Sequence, residues 1–283
     1  MKYLPMSNLL QRALAGGYAV PSFCVWNAES MLSVLNVAAD CRAPVILMNG
    51  PGEFGLLAPR EMGAIAHALA ARFEIPAALH LDHGDSIEQV QACLDAGYSS
   101  VMLDYSSRPF AENTEALRRV AALARPRGVT IEGEIGHVGT VDGVSKEGGR
   151  DSTLTRVDEA AAYAAATGVD ALAISFGNAH GNYTRLPQFD FERLAQIHAA
   201  VPLPLVLHGG SGTPDADLRR AISLGIAKVN VATESITAVR ESLRRQWEAG
   251  RNLWTPMAMA EAARQMGPIV EKWIRRTGAA GQA

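Results

Sequence analysis

The sequence predicts an α/β fold in which eight parallel strands close into one barrel, with extra helices at the C-terminal end. Two observations carry this. Eight short β-rich runs alternate with helix-patterned segments along most of the 283 residues, the order expected of a (β/α)8, or TIM, barrel. Several runs are continuously apolar, as in Pro-Leu-Val-Leu at 204–207, the pattern of strands buried on both faces of a parallel sheet. An open doubly wound sheet is the structural alternative. No Gly-x-Gly-x-x-Gly follows the first run, which weakens its dinucleotide-binding version.

Taken in order, the strands are expected at 18–23, 44–48, 77–81, 100–103, 130–134, 171–175, 204–208 and 228–231. Between the third and fourth, Ser86 opens a helical pattern that Gly97 closes: a hydroxyl cap and a glycine stop. Between the seventh and eighth, Thr213 is the expected cap, Pro214 the first helical residue and Gly225 the stop. Ala96-Gly97, Thr167-Gly168 and Leu224-Gly225 each stand just before a strand, as αβ turns require. The Ala-rich stretch 159–167 reads as a helix packed on the barrel. After Val231 the chain is helical, with a break near 250–256, and the small polar tail 277–283 is expected to fray. A single domain over 1–283 accounts for the whole pattern.

Apolar residues make up 48% of the chain and charged ones 19%, an ordinary globular balance. A net charge of −3 argues against nucleic acid or an anionic membrane as the main partner, while leaving room for a local phosphate site. No apolar run approaches the roughly 18–20 residues of a spanning helix. The first residues lack a signal-peptide core. Cys24, Cys41 and Cys93 are dispersed and form no Cys-x-x-Cys, so a reducing cytoplasm is expected.

Barrel active sites gather at the carboxyl ends of the strands, and the polar residues follow that rule. The third run ends in Asp82-His83 and the fourth in Asp104. The fifth carries Glu132 and Glu134. His180 follows the sixth, and His208 ends the seventh ahead of Gly209-Gly210-Ser211-Gly212. The eighth ends in Asn230-Val231-Ala232-Thr233. All are expected at one rim. His83, His180 and His208 are each followed by glycine, which lets backbone and ligand come close. A lone histidine is more often structural, but three at one rim beside carboxylates read as a metal site. Neutral imidazoles are the usual zinc ligands, and three of them leave a position for water or substrate. Such an ion polarises a carbonyl and stabilises an enediolate.

Asp82 stands beside a proposed ligand, either to orient an imidazole or to move a proton on a substrate hydroxyl. Asp104 and Glu134 could form a secondary metal position or balance charge. Glu132 shares Glu134's face and reads as a buried hydrogen-bond anchor. His80 reads as core packing or a hydrogen bond, and His67, His137 and His198 carry no strong claim. The glycine-rich turn 209–212, before a helix starting near Thr213, suits a phosphate, with Ser211, Asn230 and Thr233 as further donors.

Together the motifs resemble the class II, metal-dependent ketose-bisphosphate aldolases, in particular the tagatose- and bacterial fructose-bisphosphate branch. The matching pieces include His-Leu-Asp-His-Gly (80–84), Ser-Val-Met-Leu-Asp (100–104), Glu-Gly-Glu-Ile-Gly (132–136), Ala-His-Gly (179–181), Leu-His-Gly-Gly-Ser-Gly (207–212) and Lys-Val-Asn-Val-Ala-Thr-Glu (228–234). The resemblance runs from Gly16 to about Glu234. It implies that His83, His180 and His208 hold Zn²⁺ or another divalent ion, with Asp104 and Glu134 as an alternative metal position. It implies Asp82 as the acid/base on the hydroxyl whose carbon–carbon bond breaks. Gly181, Gly209, Gly210, Ser211, Asn230, Val231, Ala232 and Thr233 would surround the phosphate of dihydroxyacetone phosphate, with room for a monovalent cation nearby. The implied assembly is a homodimer or homotetramer.

Three departures bear on the substrate. Cys24 stands where the family usually has Asn. The loop after the fifth strand is shorter, with Asp142 where a glutamate usually handles the triose proton. Arg251 and its neighbours replace an Asp-Pro-Arg linked to the second phosphate. Glu53 adds an acid near the expected aldehyde end. These changes imply retained aldol chemistry with a different aldehyde half, in a ketose 1-phosphate or a modified sugar phosphate. Two rivals remain: a metal-dependent phosphosugar epimerase or isomerase, and a non-catalytic sugar-phosphate-binding relative.

Overall fold

Each of the eight strands is buried along its whole length, and the strands pair in parallel without leaving a free edge. The last one, β8 (Ile226–Val231), closes on β1 (Val20–Cys24). Between them run β2 (Val45–Asn49), β3 (Ala77–Gly84), β4 (Ser100–Leu103), β5 (Thr130–Ile135), β6 (Ala171–Ile174) and β7 (Leu205–Leu207). The computed structural model describes residues 3–55, 57–140, 153–181, 183, 187–250 and 254–283. The closed ring sets aside the open-sheet alternative. Most strand ends lie within one or two residues of expectation; β3 continues through Gly84.

The helices form the outer layer: α1 (Met6–Gly16), α2 (Ala28–Asp40), α3 (Pro59–Ala70), α4 (Ile87–Asp95), α5 (Phe110–Ala124), α6 (Val157–Thr167), α7 (Phe191–Ala200) and α8 (Asp215–Ser223). The chain ends in α9 (Thr233–Glu248), α10 (Thr255–Arg264) and α11 (Gly267–Arg276). Ser86 caps α4 as expected, accepting from Gln89 N–H at 3.3 Å. The other expected cap fails. Thr213 N–H closes a turn onto Gly210 C=O, and Pro214, extended at ψ 148°, becomes the N-cap of α8. The tail does not fray either. Gly281 and Ala283 donate to the carbonyls of Cys41 and Arg42, and Ala279 is buried. Backbone hydrogen bonds and one apolar anchor hold it against the C-terminal end of α2. Beneath the barrel, Leu4 N–H bonds Ala77 C=O and Ser7 N–H bonds Thr130 Oγ1, so the α1 segment covers the amino ends of the strands.

The register pairs His80 with Met48 and Ser100, and Met102 with Glu132. Side chains alternate along a strand, so His80 and Asp82 share a face, as do Glu132 with Glu134 and Lys228 with Asn230. That face is the barrel interior, because Lys228 Nζ on β8 lies 2.9 Å from Glu132 Oε2 on β5. The lumen therefore carries a column of polar groups where branched apolar residues usually dominate.

Candidate metal centre

Adjacent residues of a regular strand face opposite ways, so Asp82 and His83 should not reach the same space. The backbone resolves this. His83 has φ +46°, and the pairing of β3 with β4 shifts register between Leu81 and Gly84. The left-handed step turns the His83 side chain to the rim beside Asp82. Positive φ is rare for a non-glycine residue and costs of order 1–3 kcal/mol where it is strained.

His180 reaches the same point from the loop after β6. Its N–H donates to Gly139 C=O at 2.8 Å, and Gly181 follows at φ +99°. Asn178 Nδ2 ties this loop to His208 C=O at 3.1 Å. Gly209, at φ +65°, brings the backbone so close that a Cβ would lie 2.0 Å from Ala179 C=O. Only glycine fits there.

The three rings meet edge to face, with centroids 4.5 Å apart for His83–His208, 5.0 Å for His83–His180 and 5.8 Å for His180–His208. His208 Nδ1 lies 2.7 Å from His83 Nε2. One nitrogen from each ring falls within 4.8 Å of the others. That spread brackets the roughly 3.4 Å separating two nitrogens bonded at about 2.1 Å to a tetrahedral ion. His180 is buried, yet neither ring nitrogen has a hydrogen-bond partner among the described residues. Buried polar atoms are rarely left so. The donor set and this orphaned imidazole fit a divalent cation. Burial, reinforced by the His83 charge, lowers the pKa of both His180 and His208 and favours the neutral, ligating imidazole.

Carboxylates hold the outer sides of two rings. Asp104 Oδ2 is 2.7 Å from His83 Nδ1, and Glu132 Oε1 is 2.8 Å from His208 Nε2. Burial pushes the Asp104 carboxyl up, but the hydrogen bond and charge of His83, with hydrogen bonds from Ser106, together outweigh this and leave it well below its usual range. Glu132 behaves alike. Burial raises it, while Lys228, His80 and His208 bring it down to about 2. It thus serves as the expected buried anchor, one layer below the rim. Glu134 is the opposite case: burial and the Asp104 charge raise it to about 8. Its Oε2 has no hydrogen-bond partner among the described residues, and a second possible ligand set joins His83, Asp104 and Glu134.

Asp82 accepts two contacts from Asn230 Nδ2, at 3.0 and 3.3 Å. Burial raises its pKa, but His83, His80 and Lys228 outweigh that and keep the carboxylate ionised. Lys228 is a group the sequence reading missed. Fully buried, it sits 2.9 Å from Glu132, 3.4 Å from His80 Nε2 and 3.9 Å from Asp82. His80 Nδ1 pairs with Ser100 Oγ at 2.8 Å, the hydrogen-bonded role expected of it. The signal for Lys228 was parity with Asn230 two positions on.

A small cavity beside the imidazoles is lined by Gly181, Gly209, Ser211, Asn230, Ala232 and Thr233, with Met48 and His180. Gly210 and Val231 stand behind its wall. Gly210 N–H is already donated to Asn230 C=O, and Val231 is fully buried. The helix start at this cavity is that of α9, at Ala232 and Thr233; no residue of α8 lines it. Tyr183 OH, also missed, bonds Ala179 N–H and Gly209 C=O and braces the wall. Asp142 and Arg251 lie outside the described residues. No helix among the described residues is long and apolar enough to cross a membrane.

Known proteins share this fold. The YdjI aldolase of Escherichia coli K12 superposes with a TM-score of 0.88 at 31% identity over 99% of both chains. A Coccidioides immitis protein does so at 0.87 and 30% identity, over 97% of this chain and 96% of that one. A fructose-bisphosphate aldolase from Campylobacter jejuni, 22% identical over 100% of this chain and 97% of its own, matches in fold at 0.79. The model of the fructose-bisphosphate aldolase class-II family matches residues 4–282. With a closed eight-stranded barrel and three imidazoles at its carboxyl rim, this chain belongs to the class-II fructose-bisphosphate aldolase family.

Proposed function

We propose that this protein is a divalent-metal-dependent aldolase that reversibly cleaves a ketose phosphate into dihydroxyacetone phosphate and an aldehyde. The observation that carries the reading is the cluster of His83, His180 and His208 beside an ionised Asp82. The three imidazoles would hold the ion, with zinc the expected species given an all-nitrogen set. When bound, it supplies Lewis acidity toward the substrate carbonyl and countercharge for the electron pair left when the carbon–carbon bond opens.

Everything else falls to the chain. Asp104 and Glu132 fix the orientation of two imidazoles by accepting their outer N–H groups. Asp82, held by Asn230, takes the proton from the hydroxyl next to the breaking bond and returns it in the condensation direction. Gly181, Gly209, Ser211 and Thr233 receive the triose phosphate, with the α9 amino end oriented toward its charge. His83, Asp104 and Glu134 offer the ion a second position. A single domain, a homodimeric or homotetrameric assembly, a cytoplasmic location and a monovalent cation near the phosphate are carried over from the sequence reading alone.

The test is release of triose phosphate, measured by a coupled assay over a panel of ketose mono- and bisphosphates, before and after chelation. Metal-dependent release supports the reading. An isomerised sugar with no triose released points to the epimerase alternative.

A further inference from the structure

We propose that Glu53 is a specificity-determining residue that selects an aldehyde half bearing no phosphate. The inference rests on the aldolase reading above and concerns the end of the substrate remote from the triose. Glu53 lies in the turn after β2, and its carboxylate accepts Gly50 N–H at 2.8 Å and a hydrogen bond from the Cys24 thiol. Gly50 is packed so tightly on β3 that a Cβ there would lie 2.1 Å from Asp82 C=O. The turn therefore sets the Glu53 carboxyl beside the strand end that carries Asp82. Cys24 pairs in register with Met48, and Met48 lines the cavity shared with His180 and Thr233. The Cys24–Glu53 pair thus stands between the triose side and the space beyond it.

That space is an open cavity of about 500 Å³. Its walls include Trp26, Leu57 and Ile236, with Asn27 at one side, and Glu53 is its one charged group among the described residues. A phosphate dianion binds where cationic side chains or unengaged N–H groups converge. Here no lysine or arginine lines the described wall, and the Gly50 N–H behind Glu53 is already donated to that carboxylate. On the described wall a second phosphate would meet the Glu53 carboxylate and apolar surface. A neutral polyhydroxylated chain meets a good acceptor for its hydroxyls and an aromatic face for its carbons. The substrate class is a ketose 1-phosphate whose remaining carbons are uncharged.

The experiment uses the metal-loaded full chain in the condensation direction. Dihydroxyacetone phosphate is supplied with either D-glyceraldehyde or D-glyceraldehyde 3-phosphate, and kcat/KM is measured for each. Like-charge contact predicts at least about a tenfold preference for the neutral aldehyde. Glu53→Gln should narrow that preference, and Glu53→Lys should shift it toward the phosphorylated aldehyde. Deuterium exchange from solvent into dihydroxyacetone phosphate reports the triose half alone. Exchange together with preference for the phosphorylated aldehyde, or an unchanged ratio in Glu53→Gln, overturns the assignment of Glu53. Absence of both exchange and condensation overturns the aldolase reading and this inference with it.

Discussion

His208 Nδ1 and His83 Nε2 face each other at 2.7 Å, and the far nitrogen of each ring meets a buried or nearly buried carboxylate. If Glu132 and Asp104 each accept an N–H, the two facing nitrogens both present lone pairs. Two lone pairs at that separation repel unless a proton or a cation lies between them. The carboxylates thus prepare the imidazoles as ligands. Glu132→Gln should weaken divalent-ion binding by about 10–100-fold, the usual effect of losing such a partner. Competitive titration against a chromogenic chelator measures it, and an unchanged affinity would remove Glu132 from this role.

Asp82 is separable from metal binding. Asp82→Asn keeps shape and the contact with Asn230 while removing the proton acceptor. Its kcat should fall by about 10²–10⁴-fold with the ion still bound at the wild-type ratio. A rate near wild type would take Asp82 out of the proton path.

Lys228 is the countercharge of the lumen, within 4 Å of Glu132, His80 and Asp82. Removing one partner of a buried pair strands the other charge, at a cost of about 3–5 kcal/mol. Lys228→Met should lower unfolding free energy by that order in urea titrations. Adding Glu132→Gln to it should recover part of the loss, because the stranded charge is then gone. Strict additivity of the two changes would contradict the coupling.

The barrel was legible because buried parallel strands leave apolar runs and the αβ turns leave glycines. The rim residues were legible because they sit where those runs end. What escaped depended on backbone detail. Strand alternation puts Asp82 and His83 on opposite faces, and nothing in the residue string announces the φ of +46° that brings them together. Lys228, in the strand expected at 228–231, shows its role only when the barrel closes and Glu132 arrives from the far side. Thr213 has the chemistry of a cap but is used by the preceding turn. The tail looked unattached because its partners, Cys41 and Arg42, lie more than two hundred residues earlier.

In the metal-free protein the stability contributed by a neutral His180 should be lost in acid. Burial and the charges of His83 and His208 lower the His180 pKa below its ordinary value near 6.5. The unfolded chain then binds more protons than the folded one as pH drops through the ordinary value, so folding is penalised there. The contribution is fully present above about pH 6.5 and is lost progressively below it. Glu134, raised to about 8, works in the opposite sense over the same range, so the test is the difference between variants. Urea midpoints of chelated wild type should fall more, or rise less, between about pH 7.5 and 5.5 than those of His180→Asn. An identical pH dependence in the two proteins contradicts the neutral, buried imidazole.

The most direct measurement is metal content alongside turnover. Elemental analysis of dialysed protein should find one divalent ion per chain, lost in His180→Ala, with triose phosphate release abolished by chelation and restored by adding the ion back. Full turnover from protein shown to be free of metal would contradict the account at its centre.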